Sequence, residues 1–135
     1  MGFAFFAGIH YWFPKMYGKM YNIKRANWAW AVLFIGFNLL YFPLFVIGMQ
    51  GMPRRYFDYL PQFQLGHVLS SIGAYVLATG LVMMIVNFYK ASKNGEKAPA
   101  NPWNGLTLEW TIPSPPPVEN FEEIPEITEP PYNFK

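Results

Sequence analysis

Arg54 and Arg55 stand side by side in Gly48-Met-Gln-Gly-Met-Pro-Arg-Arg-Tyr-Phe-Asp-Tyr59, between two stretches apolar enough to cross a bilayer. Adjacent guanidinium groups repel each other unless anions compensate them. A planar guanidinium fork meets a carboxylate or phosphate with paired, charge-assisted hydrogen bonds. The chemistry on offer is anion capture at a membrane boundary, with lipid phosphate and the carboxylates of a bound cofactor as the two candidate anions. The Gly-Met-Pro lead-in stiffens the turn ahead of Arg54, which favours a fixed site over a mobile surface loop.

Other chemistry has little to stand on. The chain has no cysteine, so disulfides, thiolate zinc sites and a thiol nucleophile are excluded. No Gly-rich phosphate loop, HExxH motif or plausible Ser/His/Asp set occurs. His10 lies in the aromatic run Ile9–Phe13, and His67 near the start of the second apolar stretch. Neither has a His, Cys or carboxylate at i+3 or i+4, so both read as interfacial hydrogen-bonding groups rather than metal or haem ligands. The net charge of +2 comes from membrane flanks and lends no support to nucleic-acid binding.

The elements that must position the arginines follow from composition. Of 135 residues 53% are hydrophobic and only 13% charged, which places the chain among membrane proteins. Between Arg25 and Arg54 lie 28 residues without a formal charge, and between Asp58 and Lys90 another 31. About 20 apolar residues span the hydrocarbon, and lipid leaves no partner for a free backbone N–H or C=O, so both stretches must be helices. The spans are expected at 26–49 and 64–89. Pro43 should kink the first and free the carbonyl of Leu39. Gly36, Gly48, Gly73, Ala74, Ala78 and Gly80 read as helix-packing positions. The polar Asn38, Ser70, Ser71 and Thr79 are expected to face protein or cavity water. Met1–Phe13 is apolar but reaches only about 20 Å as a helix. Without a basic flank or cleavage site it reads as the second half of a spanning helix (1–14), in a piece of a longer or split polypeptide.

Charge sets the orientation. Lys15, Lys19, Lys24 and Arg25 precede the first span and Lys90, Lys93 and Lys97 follow the second, so both flanks are expected on the cytoplasmic side and the arginine pair opposite. Tyr11, Trp12, Trp28 and Trp30 mark one interface, Tyr56 and Tyr59 the other. The transmembrane part is taken as 1–97 and the tail as 98–135. The tail is rich in proline; its six glutamates against Lys135 make a net charge of −5, while nine Lys and Arg against Asp58 and Glu96 make the preceding part +7. Proline at this density forbids long helices. Trp103, Leu106, Leu108, Trp110, Ile112 and Phe121 nevertheless argue for an extended arm docked on a protein surface, with polyproline-like character around Pro113–Pro117.

Five stretches carry a family resemblance. They are Phe-Ala-Gly-Ile-His-Tyr-Trp-Phe-Pro-Lys-Met (6–16), Asn38-Leu-Leu-Tyr-Phe-Pro43, the arginine segment from Gly48 to Tyr59, Ser70-Ser-Ile-Gly73, and Asn101-Pro-Trp-Asn-Gly-Leu-Thr-Leu-Glu-Trp-Thr-Ile-Pro-Ser-Pro-Pro-Pro117. With them the chain resembles the C-terminal portion of the catalytic subunit I of haem-copper terminal oxidases, specifically bacterial A-type cytochrome c oxidases, over nearly its whole length. The resemblance implies an all-α membrane protein: two full transmembrane helices, the second half of a third, and a proline-rich extended tail in the cytoplasm of a cell bounded by the bacterial inner membrane. It implies oxygen reduction to water with electrons from cytochrome c, coupled to proton translocation, in an assembly with the remaining helices of subunit I, membrane lipid, and subunit II with its dicopper centre. Arg54 and Arg55 at the matching motif would bind haem propionates. The ligands of the two haems and of copper would come from helices outside this sequence, so this piece supplies no metal ligand and no catalytic residue. A different class of protein, a non-catalytic helical hairpin holding anionic lipid through Arg54 and Arg55, requires the same spans and no haem.

Overall fold

A computed structural model describes residues 2–55, 57–121 and 125–126; Tyr56 and most of the last residues lie outside the described set. Three α-helices follow one another: α1 (Gly2–Tyr17), α2 (Ile23–Met49) and α3 (Gln64–Asn94). Short 3-10 turns occupy Pro61–Phe63 and Leu108–Trp110. The described residues contain no strand, only one isolated antiparallel bridge between Lys19 and Lys97. All-α architecture with two long apolar helices is what the composition requires. The chain divides into two compact units: Asn22–Phe88, and the residues before Asn22 together with those from Tyr89 onward.

In the first unit, α2 starts at Asn22, whose side chain accepts from the Arg25 N–H at 2.9 Å and satisfies a donor that the helix cannot. Twenty-seven residues rise about 40 Å, enough for a hydrocarbon layer of about 30 Å. The most apolar windows of the two long helices are only 17% and 22% buried within the chain, too little for core helices of a water-soluble fold. Trp28, Trp30, Phe34, Ile35, Phe42 and Phe45 on α2 are all at least half exposed, a surface that needs lipid or other helices around it. Both helices outrun the apolar windows: Lys24 and Arg25 lie in the first turn of α2, and α3 continues to Asn94.

The two helices pair antiparallel along a seam of glycines. Leu33 meets Gly80, Gly36 meets Leu77, Leu40 meets Gly73 and Ile47 meets Gly66, with numbers rising on one helix as they fall on the other. A Cβ at Gly80 would lie 2.8 Å from Leu33 N, and one at Gly66 would lie 2.5 Å from Ile47 Cγ2. Gly66, Gly73 and Gly80 repeat every seventh residue, as do Leu33, Leu40 and Ile47. That period keeps one face of each helix toward the other. Since lipid tails are as apolar as leucine, packing at close range is the main force joining such helices. Asn87, next in the glycine series and 2% exposed, donates through Nδ2 to the Asn22 carbonyl at 3.0 Å.

The intramembrane polar residues are held by their own helices. Asn38, Ser71 and Thr79 are exposed, and each donates to the carbonyl four residues earlier, Phe34, His67 and Tyr75, at 2.8–2.9 Å. The helix itself satisfies one donor of each. Ser70 is buried.

In the second unit the tail packs against α1. Lys15, 6% exposed, donates through Nζ to the carbonyls of Ala100 (2.9 Å), Ile112 (2.8 Å) and Pro113 (3.5 Å), and lies 5.0 Å from the centre of the Trp110 ring. Burial lowers its pKa from the ordinary 10.5, opposed by the Glu109 carboxylate. Trp110, 2% exposed, donates to Tyr11 Oη at 2.8 Å, and Trp103 donates to the Tyr11 carbonyl at 2.9 Å. Lys19 donates to the carbonyls of Ser92 and Lys93 at 2.9 and 2.8 Å, a cation on the unpaired carbonyls and negative dipole end of α3. Helix α1 stops at Gly18, whose φ of +63° suits glycine; a Cβ there would also strike Pro115 Cδ at 2.5 Å. Trp103 and Trp110 hold the tail to α1, whereas Leu106 and Leu108, expected in the same role, are exposed; of the flanking lysines Lys15 is tied up in holding the tail and Lys19 in capping α3.

Candidate anion-binding site

Helix α2 ends in a Schellman motif that aims the arginines. Gly51 takes φ +91°, its N–H donates to the Gly48 carbonyl at 3.2 Å, and the Met52 N–H reaches back to Ile47 at 3.1 Å. Pro53 follows and cannot extend the helix. The chain therefore leaves α2 along a fixed direction, and Arg54 comes two residues beyond the last of these hydrogen bonds. Arg55 has φ +59°, a left-handed conformation that costs a non-glycine residue about 1 kcal/mol or more.

Both arginines are exposed and line one groove of about 860 Å³, shared with Tyr41, Phe45, Met49 and Met52. Among the described residues neither guanidinium donates a hydrogen bond or joins an ion pair. The groove thus has aromatic and thioether walls running down α2 and two uncompensated cations at its rim. A ligand matching it has a flat apolar body and an anionic edge.

The turn is braced from α3. His67 Nε2 lies 3.1 Å from Met52 Sδ, and the rings of His67 and Tyr59 stand 4.1 Å apart. Tyr59 donates through its hydroxyl to Gln64 Oε1 at 2.8 Å, and its N–H is bound by Asp58 Oδ1 at 2.8 Å. Asp58 therefore engages the loop backbone. Sequence reasoning brought Arg54 and Arg55 to one site but did not find Met52, His67 and Tyr59 around it. No periodic signal links positions 15 residues apart across a turn. His10 belongs to the other unit, where its Nδ1 pairs with the Phe6 carbonyl at 2.7 Å and its ring meets Tyr21 edge-on. Among the described residues no three His, Cys, Asp or Glu side chains gather as a metal site. Tyr56, expected at the same interface as Tyr59, lies outside the described residues.

A hairpin of two apolar helices, each long enough to cross a bilayer, with a cationic rim over an aromatic groove, defines a segment of an α-helical membrane protein. The family model for cytochrome c and quinol oxidase polypeptide I matches residues 1–76, more than half of the sequence, and the chain belongs to that family. It is 46% identical over 132 residues to cytochrome c oxidase subunit 1 of Synechocystis sp., covering 98% of this chain and 24% of that one. The counterpart from Bacillus sp. strain PS3 is 44% identical, with 93% and 21% covered, and that of Cereibacter sphaeroides is 40% identical, with 92% and 22% covered. The chain thus spans about a quarter or less of the length of these relatives.

Proposed function

We propose that this chain serves as part of the catalytic subunit of a respiratory terminal oxidase, and that Arg54 and Arg55 hold the propionates of haem carried by the remaining helices. The observation that carries the reading is the pairing of two exposed guanidinium groups, without an anionic partner among the described residues, with an aromatic groove beneath them. A porphyrin with two carboxylates has that shape and charge pattern. Tyr41 and Phe45 offer flat walls to the ring, and the arginine forks meet the carboxylates at the rim. Haem and copper, ligated by residues of other helices, supply the electron transfer and oxygen chemistry in the assembly. This chain contributes charge neutralisation, packing helices and a docked tail. Its partners are then the rest of subunit I, subunit II, cytochrome c as donor to the complex, and lipid. Its place is the bacterial inner membrane with the tail in the cytoplasm, in line with the flanking lysines.

The role of the arginines has a direct test. Carboxylate charge left unneutralised beside a haem favours the ferric state, so Arg54→Met or Arg55→Met in an intact oxidase lowers the midpoint potential or impairs proton pumping while the iron ligands stay in place. Redox titrations and pumping unchanged in both variants would remove the propionate role.

A further inference from the structure

The geometry points to His67 as the residue that positions the arginine pair, acting through Met52 from the neighbouring helix; this rests on the haem reading of the groove. A thioether sulfur only accepts, so at 3.1 Å the Nε2 of His67 carries the proton and donates to Met52 Sδ. Met52 is the residue whose N–H closes the Schellman motif on Ile47, and it lies two positions before Arg54. Its side chain also lines the groove. One residue therefore joins three things: the end of α2, the wall of the groove and the first turns of α3.

The other side of the imidazole is fixed too. The Tyr59 ring lies against it at 4.1 Å, and Tyr59 is itself tied to Gln64 one turn before His67. Tyr59 and Met52 bracket the segment bearing the arginines, so His67 clasps the segment at both shoulders. Arg54 and Arg55 have no anchor of their own among the described residues, and Arg55 sits in a strained left-handed conformation. Strain of that kind persists only where the surroundings hold it. The clasp supplies that restraint, and two cations that would otherwise swing apart are kept on one rim.

The test uses the assembled oxidase containing this segment. His67→Leu removes the donor at similar bulk, and His67→Gln returns an amide N–H. Two quantities are measured: the midpoint potential of the nearer haem, and hydrogen exchange of the Gly51 and Met52 amides. In His67→Leu the potential falls in the same direction as in Arg54→Met but by less. The two amides exchange about fivefold faster, the factor that one ordinary hydrogen bond is worth, and His67→Gln restores both. Wild-type behaviour of His67→Leu in either measurement, or a His67→Gln variant as impaired as His67→Leu, overturns the positioning role. Potentials unchanged in Arg54→Met and Arg55→Met would instead overturn the haem reading, and the exchange rates alone would then decide the clasp.

Discussion

Replacing Gly73 by alanine puts the seam between α2 and α3 to a quantitative test. The added methyl would lie 2.5 Å from the Leu39 carbonyl carbon and 2.8 Å from Leu40 Cα, both backbone atoms that no rotamer change can move. It would also strike Leu40 N, closer still; ordinary contact begins near 3.4 Å, so the helices must part locally by at least about 0.9 Å, the difference between 3.4 and 2.5. A gap of 0.5–1 Å forfeits about a quarter to a half of the attraction between facing atoms. In a bilayer that attraction is most of what joins the pair. The expected loss is about 1–3 kcal/mol, typical of overpacking. Gly48 is the internal control: a methyl there meets nothing within 4 Å, so Gly48→Ala is expected to be neutral or to stabilise α2 by about 0.5–1 kcal/mol. Unfolding of the detergent-solubilised polypeptide by SDS, followed through Trp28 and Trp30, measures both. Equal stability of the two variants would show that α2 and α3 do not approach at Gly73.

Two further substitutions probe the remaining structure. Lys15→Met removes two short charge-assisted hydrogen bonds and leaves the Ala100 and Ile112 carbonyls without that donor, at a cost of about 3 kcal/mol to tail docking. Protease cleavage within residues 98–121 should accelerate sharply, and unchanged cleavage would mean the tail is held by its tryptophans alone. Gly51→Ala forces a Cβ into a left-handed turn at about 1–2 kcal/mol. The end of α2 should fray, seen as faster exchange of the Met52 amide, and an unaltered rate would argue against the Schellman geometry.

What the sequence by itself determined is local or additive. Two stretches of 28 and 31 residues without formal charge had to become helices, because lipid provides no partner for an unpaired backbone group. The arginine pair announced itself through type and adjacency, and Gly51 followed by Pro53 marked the end of α2. The tail's proline excluded regular structure, and its tryptophans required a surface. The register of the hairpin was decided only in three dimensions. Gly66, Gly73 and Gly80 permit close approach, yet which residues of α2 they meet depends on where the loop lets α3 begin. The same holds for Lys15, which read only as a flanking charge and proves to be buried among carbonyls 85 to 98 positions away. His67 read as an interfacial hydrogen-bonding group, and only the fold supplies Met52 as its partner. Helix formation is settled within a few residues of chain, whereas an interaction across a loop exists only after both partners have been placed by packing, and no local pattern records that placement.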